Sequence, residues 1–187
     1  MTTALLVIDV QESFRQRDSW AEISAPDIAE RITRLVAHAR DRGDTVVWVL
    51  HTEPGTGTVF DPELGHVRLL PGLDPRDDEP VVHKTSHNAF TSTDLGERLT
   101  ARGVTDVMVT GIRTEQCCET TARVASDLGY GVTFVLDATA TQPLPRFGGG
   151  EPLTVEEVLE RTASALQGRF AEVVSIDQLL GAAAVAR

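Results

Sequence analysis

The chain is predicted to fold as an α/β domain: three Rossmann-like layers around a six-stranded, mainly parallel sheet in the order 3-2-1-4-5-6. Two observations predict this. Short continuous apolar runs, such as Ala4 to Val10 (ALLVIDV) and Thr45 to Leu50 (TVVWVL), suit strands buried on both faces. Stretches with helical periodicity alternate with them, and strand–helix–strand order implies right-handed parallel crossovers.

The elements follow in order. Asp9 interrupts the end of the first strand, where an aspartate ordinarily caps or turns the chain. Residues 11–25 (QESFRQRDSWAEISA) form a polar loop in which Gln11, Phe14 and Trp20 are candidate substrate contacts. From Pro26 to Arg42 a helix is predicted, because Ile28, Ile32, Leu35, Val36 and Ala39 make one stripe and Gly43 suits the stop. After the second strand, residues 51–79 are long, Gly/Pro/Asp-rich and without periodicity, as functional loops are. His51 and His66 lie in it, but two histidines without acids at matched spacing do not make a metal site. The run GTGTVF at Gly55 lacks the third glycine and the strand–helix context of a dinucleotide fingerprint.

Pro80 to His83 is the third strand, ending at Lys84, a residue that would ordinarily be solvated there. Ser92 or Thr93 could cap a short helix up to Arg102. Val104–Thr110 and Val132–Leu136 are the fourth and fifth strands, followed by a Pro/Gly-rich loop carrying Phe147, another plausible pocket lining. Thr154 and Glu157 make a capping-box pattern for a helix to Leu166. Ala171–Ser175 is the sixth strand, and a last helix follows.

Between strands four and five the sequence VTGIRTEQCCETTARVASDLGYG places a thiol at a strand-to-helix junction. If Thr114 is the N-cap, Cys117 sits in the first turn, where unpaired N–H groups and the helix dipole favour a thiolate. Cys118 shares a stripe with Ala122, Ala125 and Leu128 and is therefore a core residue; Cys117 lies about 100° away around the helix. In the predicted strand order, ligands bind outside the carboxyl ends of strands one and four. Asp9, Lys84 and Cys117 all fall on that rim.

Composition narrows the classes. The 187 residues carry a net charge of −11, which argues against nucleic acid or an anionic membrane surface as partner. Two adjacent cysteines give no disulfide framework and suit a reducing cytosol. The N-terminus lacks the basic region of a signal peptide, and no apolar run reaches membrane-spanning length. One domain over residues 1–187, cytoplasmic, is expected.

Three blocks, LLVIDVQESF, VVHKTSHNAFTSTDL and VTGIRTEQCCETTARVASDLGYGVTFVLDA, resemble the isochorismatase-like cysteine hydrolases. The likeness runs in order from about Ala4 to Ser175. It implies a catalytic triad of Asp9, Lys84 and Cys117. It also implies a cis peptide at Ile112–Arg113 that aims the N–H groups of Arg113 and Cys117 at a developing oxyanion. Asp9 would accept the thiol proton while Lys84 and the helix dipole hold a thiolate. Relatives that hydrolyse nicotinamide carry a metal-binding Asp-x-His after strand two; the matching residues here are Val49, Leu50 and His51, so no metal and no cofactor is carried over. Arg113 replaces a residue that is often small, and its guanidinium could meet a substrate carboxylate or point to solvent. The resemblance implies a small-molecule substrate and a homo-oligomer. The activity it implies is metal-independent cleavage of an amide, carbamoyl or lactam C–N bond through a Cys117 thioester. The alternatives are isochorismatase-type vinyl-ether hydrolysis driven by Asp9, which relatives lacking the cysteine perform, and a non-catalytic small-molecule binding module.

Overall fold

The computed structural model describes residues 2–185. Six parallel strands form the central sheet: β1 (Thr3–Ile8), β2 (Thr45–His51), β3 (Val81–Lys84), β4 (Asp106–Ile112), β5 (Gly131–Ala140) and β6 (Glu172–Val174), in the order β3-β2-β1-β4-β5-β6. The predicted order and parallel pairing are therefore the observed ones.

The helices are α1 (Glu12–Arg15), α2 (Ile28–Arg42), α3 (Leu95–Ala101), α4 (Glu119–Asp127), α5 (Val155–Leu166) and α6 (Ile176–Val185). Strand alternation divides the core between two faces. On β1, Ala4, Leu6 and Ile8 face the layer of α3, α4 and α5, whereas Leu5 and Val7 face α2 and α6. All five are inaccessible to solvent, and each large side chain so buried stabilises by about 1.5–3 kcal/mol. The α2 stripe read from the sequence is buried as a set, and Gly43 ends that helix in the left-handed conformation. Thr154 and Glu157 form the capping box.

Several boundaries move. Strand β5 runs on through Ala140 into what reads as a connector, because Thr139 and Ala140 pair with Gly111 and Ile112 beyond a register shift. The N-cap position of α3 is Asp94, without a side-chain bond, and of the two expected caps it is Thr93 whose hydroxyl accepts from the first helical N–H, that of Leu95, at 3.1 Å. Ser92 Oγ instead accepts from the N–H groups of Thr85 and Ser86, fixing the chain just past Lys84. Phe147, expected to line a pocket, is instead fully exposed on its loop. Gly111 has φ +125°, and a Cβ there would collide with the Ile8 carbonyl. Only glycine lets β4 pass β1 this closely at its carboxyl end.

Candidate active site

Three strand ends supply the centre. Asp9 follows β1 with φ +54°, a left-handed conformation that aspartate tolerates better than most residues. Its N–H donates to the Val49 carbonyl at 2.8 Å, and its own carbonyl accepts from Gln11 N at 2.9 Å. This turn directs the carboxyl inward, where it is wholly buried. Lys84 ends β3 and is also wholly buried, contrary to the solvated lysine usual at such a position. Its ammonium uses three partners: Asp9 Oδ2 at 2.8 Å, the Ser86 carbonyl at 3.1 Å and Cys117 Sγ at 3.5 Å.

Cys117 lies in a π-type turn, Thr114–Cys118, that leads into α4. Thr114 is not the cap expected from sequence. Its hydroxyl donates to Thr139 Oγ1 on β5 at 2.8 Å, and Arg113 takes the N-cap position without a side-chain bond. A tertiary partner has won over a local one. The Ile112–Arg113 peptide is cis. The Arg113 carbonyl accepts from the N–H groups of Gln116 at 3.1 Å and Cys118 at 3.2 Å, the residues on either side of Cys117. Cys118 is fully buried in the core, whereas Cys117 retains 8% exposure.

Electrostatically the centre departs from a standing thiolate. Burial pushes the Cys117 thiol up to about 12, with the charge of Asp9 adding to it and Lys84 opposing. Burial likewise raises Asp9, against the pull of Lys84. Burial alone would lower Lys84, but Asp9 and Cys117 outweigh it and hold the ammonium above its ordinary value. The resting state is therefore a neutral thiol beside a Lys84–Asp9 ion pair. One cation cannot hold two anions out of water.

Around this centre, Gln11 is buried with its amide occupied by protein. It donates to Ser13 Oγ at 2.9 Å and to the His51 carbonyl at 3.0 Å, and accepts from His51 N at 2.7 Å. Phe14 and Trp20 are partly buried against the α2-side core. Phe60 stands edge-on to both Phe14 and His51, with centroids 5.1 and 5.3 Å away. Arg113 does not point to solvent. It is 9% exposed, and its Nη2 lies 3.1 Å from Glu115 Oε1, while Thr141 Oγ1 donates to the other Glu115 oxygen at 2.6 Å. His51 Nε2 meets Glu53 Oε1 at 3.1 Å. Sequence reasoning paired His51 with His66 and missed Glu53, although residues two apart at a strand end share a face. The metal-binding pattern of the nicotinamide-hydrolysing relatives does not fit: Val49 is a buried core residue, and among the described residues no group of three or more His, Cys, Asp or Glu could hold a metal.

Comparison with known proteins gives the family. The isochorismatase domain model matches residues 3–178. The chain belongs to the isochorismatase family. It is 35% identical over 172 residues to a streptothricin hydrolase of Streptomyces noursei, covering 91% of this chain and 67% of that protein. With nicotinamidase 3 of Arabidopsis thaliana it shares 35% identity over 189 residues, covering 94% and 86%. The structure of a cysteine hydrolase from Pseudomonas syringae pv. phaseolicola superposes with a TM-score of 0.88 at 26% identity, covering 99% of this chain and 93% of that one. The protein is thus an isochorismatase-family hydrolase acting on a small molecule. Among the described residues no helix is long and apolar enough to cross a membrane.

Proposed function

We propose that this protein is a cysteine hydrolase that cleaves a small carbonyl C–N bond, in an amide, carbamoyl or lactam group, through a thioester on Cys117. The observation that carries the reading is the buried contact of Lys84 with both Asp9, at 2.8 Å, and Cys117 Sγ, at 3.5 Å. A nucleophile, a proton acceptor and a cation share one water-poor spot, the arrangement that covalent catalysis needs. The likeness to a streptothricin hydrolase and a nicotinamidase supports it.

The steps follow from the resting charges. As Sγ attacks the carbonyl carbon, its proton passes to Asp9, and Lys84 offsets the charge left behind. The oxyanion forms beside the N–H groups of Arg113 and Cys117. Asp9 then returns the proton to the leaving nitrogen, the C–N bond breaks, and water clears the thioester. Ammonia release from a panel of carboxamides, with chelator present, tests this. Turnover that vanishes in Cys117→Ala supports the reading, and turnover that survives there contradicts it.

One observation favours a second reading. Asp9 is wholly buried with no directed hydrogen bond, and burial raises it, so that once it takes up a proton its carboxyl can deliver it to a vinyl ether such as isochorismate. That route would leave isochorismate consumption unaffected by Cys117→Ala and abolish it in Asp9→Asn.

A further inference from the structure

We infer that His51, held by Glu53, is a second proton acceptor of this site and serves the water step that clears Cys117; the inference rests on the thioester reading above. Four observations carry it. First, position: Val47 and Val49 of β2 face the core layer that contains Cys117, and His51 continues that alternation. In the sheet register His51 is paired with Lys84, the residue that touches both Asp9 and Cys117. His51 is also close enough to Asp9 to interact with it electrostatically.

Second, the backbone of His51 is clamped at both ends of its own peptide groups. Gln11 Oε1 accepts from His51 N at 2.7 Å, and Gln11 Nε2 donates to the His51 carbonyl at 3.0 Å. A buried side chain 40 residues away thus uses two of its hydrogen bonds in fixing where this one residue stands. Third, the ring is oriented. Its Nε2 meets Glu53 Oε1 at 3.1 Å, and Glu53 Oε2 in turn accepts from Thr58 Oγ1 at 2.7 Å. The Thr58 hydroxyl lowers Glu53 despite its partial burial, with His51 adding to the effect. Glu53 is therefore ionised at neutral pH and can only accept. That places the ring proton of neutral His51 on Nε2 and leaves the lone pair on Nδ1.

Fourth, His51 Nδ1 is buried and has no hydrogen-bond partner. Apart from the ion contact to Lys84, the same holds for both oxygens of Asp9. Buried acceptors without partners are rare, and they concentrate where a ligand or a transferred proton uses them. A carboxylate that fixes one imidazole nitrogen while the other stands unpartnered, on a residue paired in the sheet with Lys84, is the orienter–base relation of hydrolytic sites.

The step balances as follows. With the acyl group on Cys117 and the amine gone, a water oxygen attacks the thioester carbon while Nδ1 takes one water proton. The tetrahedral oxyanion collapses, the C–S bond breaks, and its electron pair returns to Sγ. His51 then gives its proton to the Cys117 thiolate, restoring the neutral thiol of the resting enzyme, and the product leaves as a carboxylic acid. Glu53 stabilises the imidazolium throughout and acts as a positioning residue.

The test uses p-nitrophenyl acetate as acyl donor, following nitrophenol release and the acetylated Cys117 peptide by quenched mass spectrometry. In His51→Gln the initial burst is expected within about threefold of wild type, while the steady rate falls roughly 10²-fold and acetyl-Cys117 accumulates. Free imidazole is expected to restore the steady rate of His51→Ala without altering the burst. Should the histidine variants not fold, Glu53→Gln, on a more exposed side chain, carries the same test: a loss of about tenfold confined to the steady phase. Hydrolysis of acetyl-Cys117 at the wild-type rate in these variants overturns the inference, as does an equal loss in both phases. Absence of any acetyl-Cys117 in the wild type, with Cys117→Ser indistinguishable from it, overturns the thioester reading itself and this inference with it.

Discussion

Two ion pairs in this molecule use the same chemistry, yet their carboxyl groups are shifted in opposite directions. Away from the candidate site, Arg40 near the end of α2 grips Glu79, through Nε at 2.7 Å and Nη2 at 2.9 Å. Trp48 Nε1 and the Arg76 N–H also donate to Glu79, at 2.8 and 3.0 Å. Burial of Glu79 raises its carboxyl, but these four donors outweigh it and hold it below the ordinary carboxylate range. At the site, Asp9 has the 2.8 Å contact with Lys84 and no well-directed hydrogen bond, and burial raises it. The clasp is saturated and inert. The Asp9–Lys84 pair is undersaturated, which keeps a proton affinity that the proposed chemistry would use.

The largest stability effect expected from this difference is at the site. Lys84→Met alone strands a buried carboxyl and should cost about 3–5 kcal/mol in denaturant unfolding, with hydrolysis lost. Adding Asp9→Asn should recover most of that stability and none of the activity, since the buried charge is then gone and only the Ser86 carbonyl and Cys117 Sγ still lack the donor they had. The clasp should not be rescued this way. Arg40→Met with Glu79→Leu still deprives Trp48 Nε1 and Arg76 N of their shared acceptor oxygen, so the double variant should remain destabilised.

Smaller effects sharpen the contrast. Glu79→Gln alone should cost roughly 1.5–3 kcal/mol, the worth of hydrogen bonds to a charged group, with turnover within about twofold of wild type. The pH dependence carries the sign. Glu79 is lowered in the folded state, so its contribution is present above its ordinary value of 4.5 and is lost as pH falls through the folded value. Asp9 is raised, so its contribution has the opposite sign: present below its ordinary 3.8 and lost as pH rises through the folded value. Acid titration of stability should therefore lose its Glu79-dependent slope in Glu79→Gln. The smallest expected change is Thr154→Ala, which removes a capping box remote from both pairs: about 1 kcal/mol by thermal or denaturant unfolding, with activity unchanged.

What the sequence made legible was mostly what periodicity and local chemistry decide. The uninterrupted run of β1, the α2 stripe closed by Gly43, and the Thr154–Glu157 box could be read because each signal lies within a few residues of its effect. Asp9, Lys84 and Cys117 could be brought to one rim because the strand order does so. Tertiary competition was not legible. Thr114 looks like a cap until Thr139 arrives from β5, and Lys84 looks solvated until Asp9 and Cys117 surround it. The extension of β5 depends on its register against Gly111 and Ile112. The expectation of a standing thiolate weighed Lys84 and the helix dipole, but burial and the charge of Asp9, both three-dimensional quantities, outweigh them.

That last point is the central claim, and it has a direct measurement. In a Cys118→Ala background, the ultraviolet absorbance of the Cys117 thiolate is titrated in the otherwise unaltered protein and in Asp9→Asn. The account predicts a neutral thiol throughout the physiological range in the first protein. In Asp9→Asn it predicts a thiolate at lower pH, because the opposing charge is gone and Lys84 remains, yet no hydrolysis, because the proton acceptor is gone as well. A thiolate already present at neutral pH and indifferent to Asp9→Asn would contradict it.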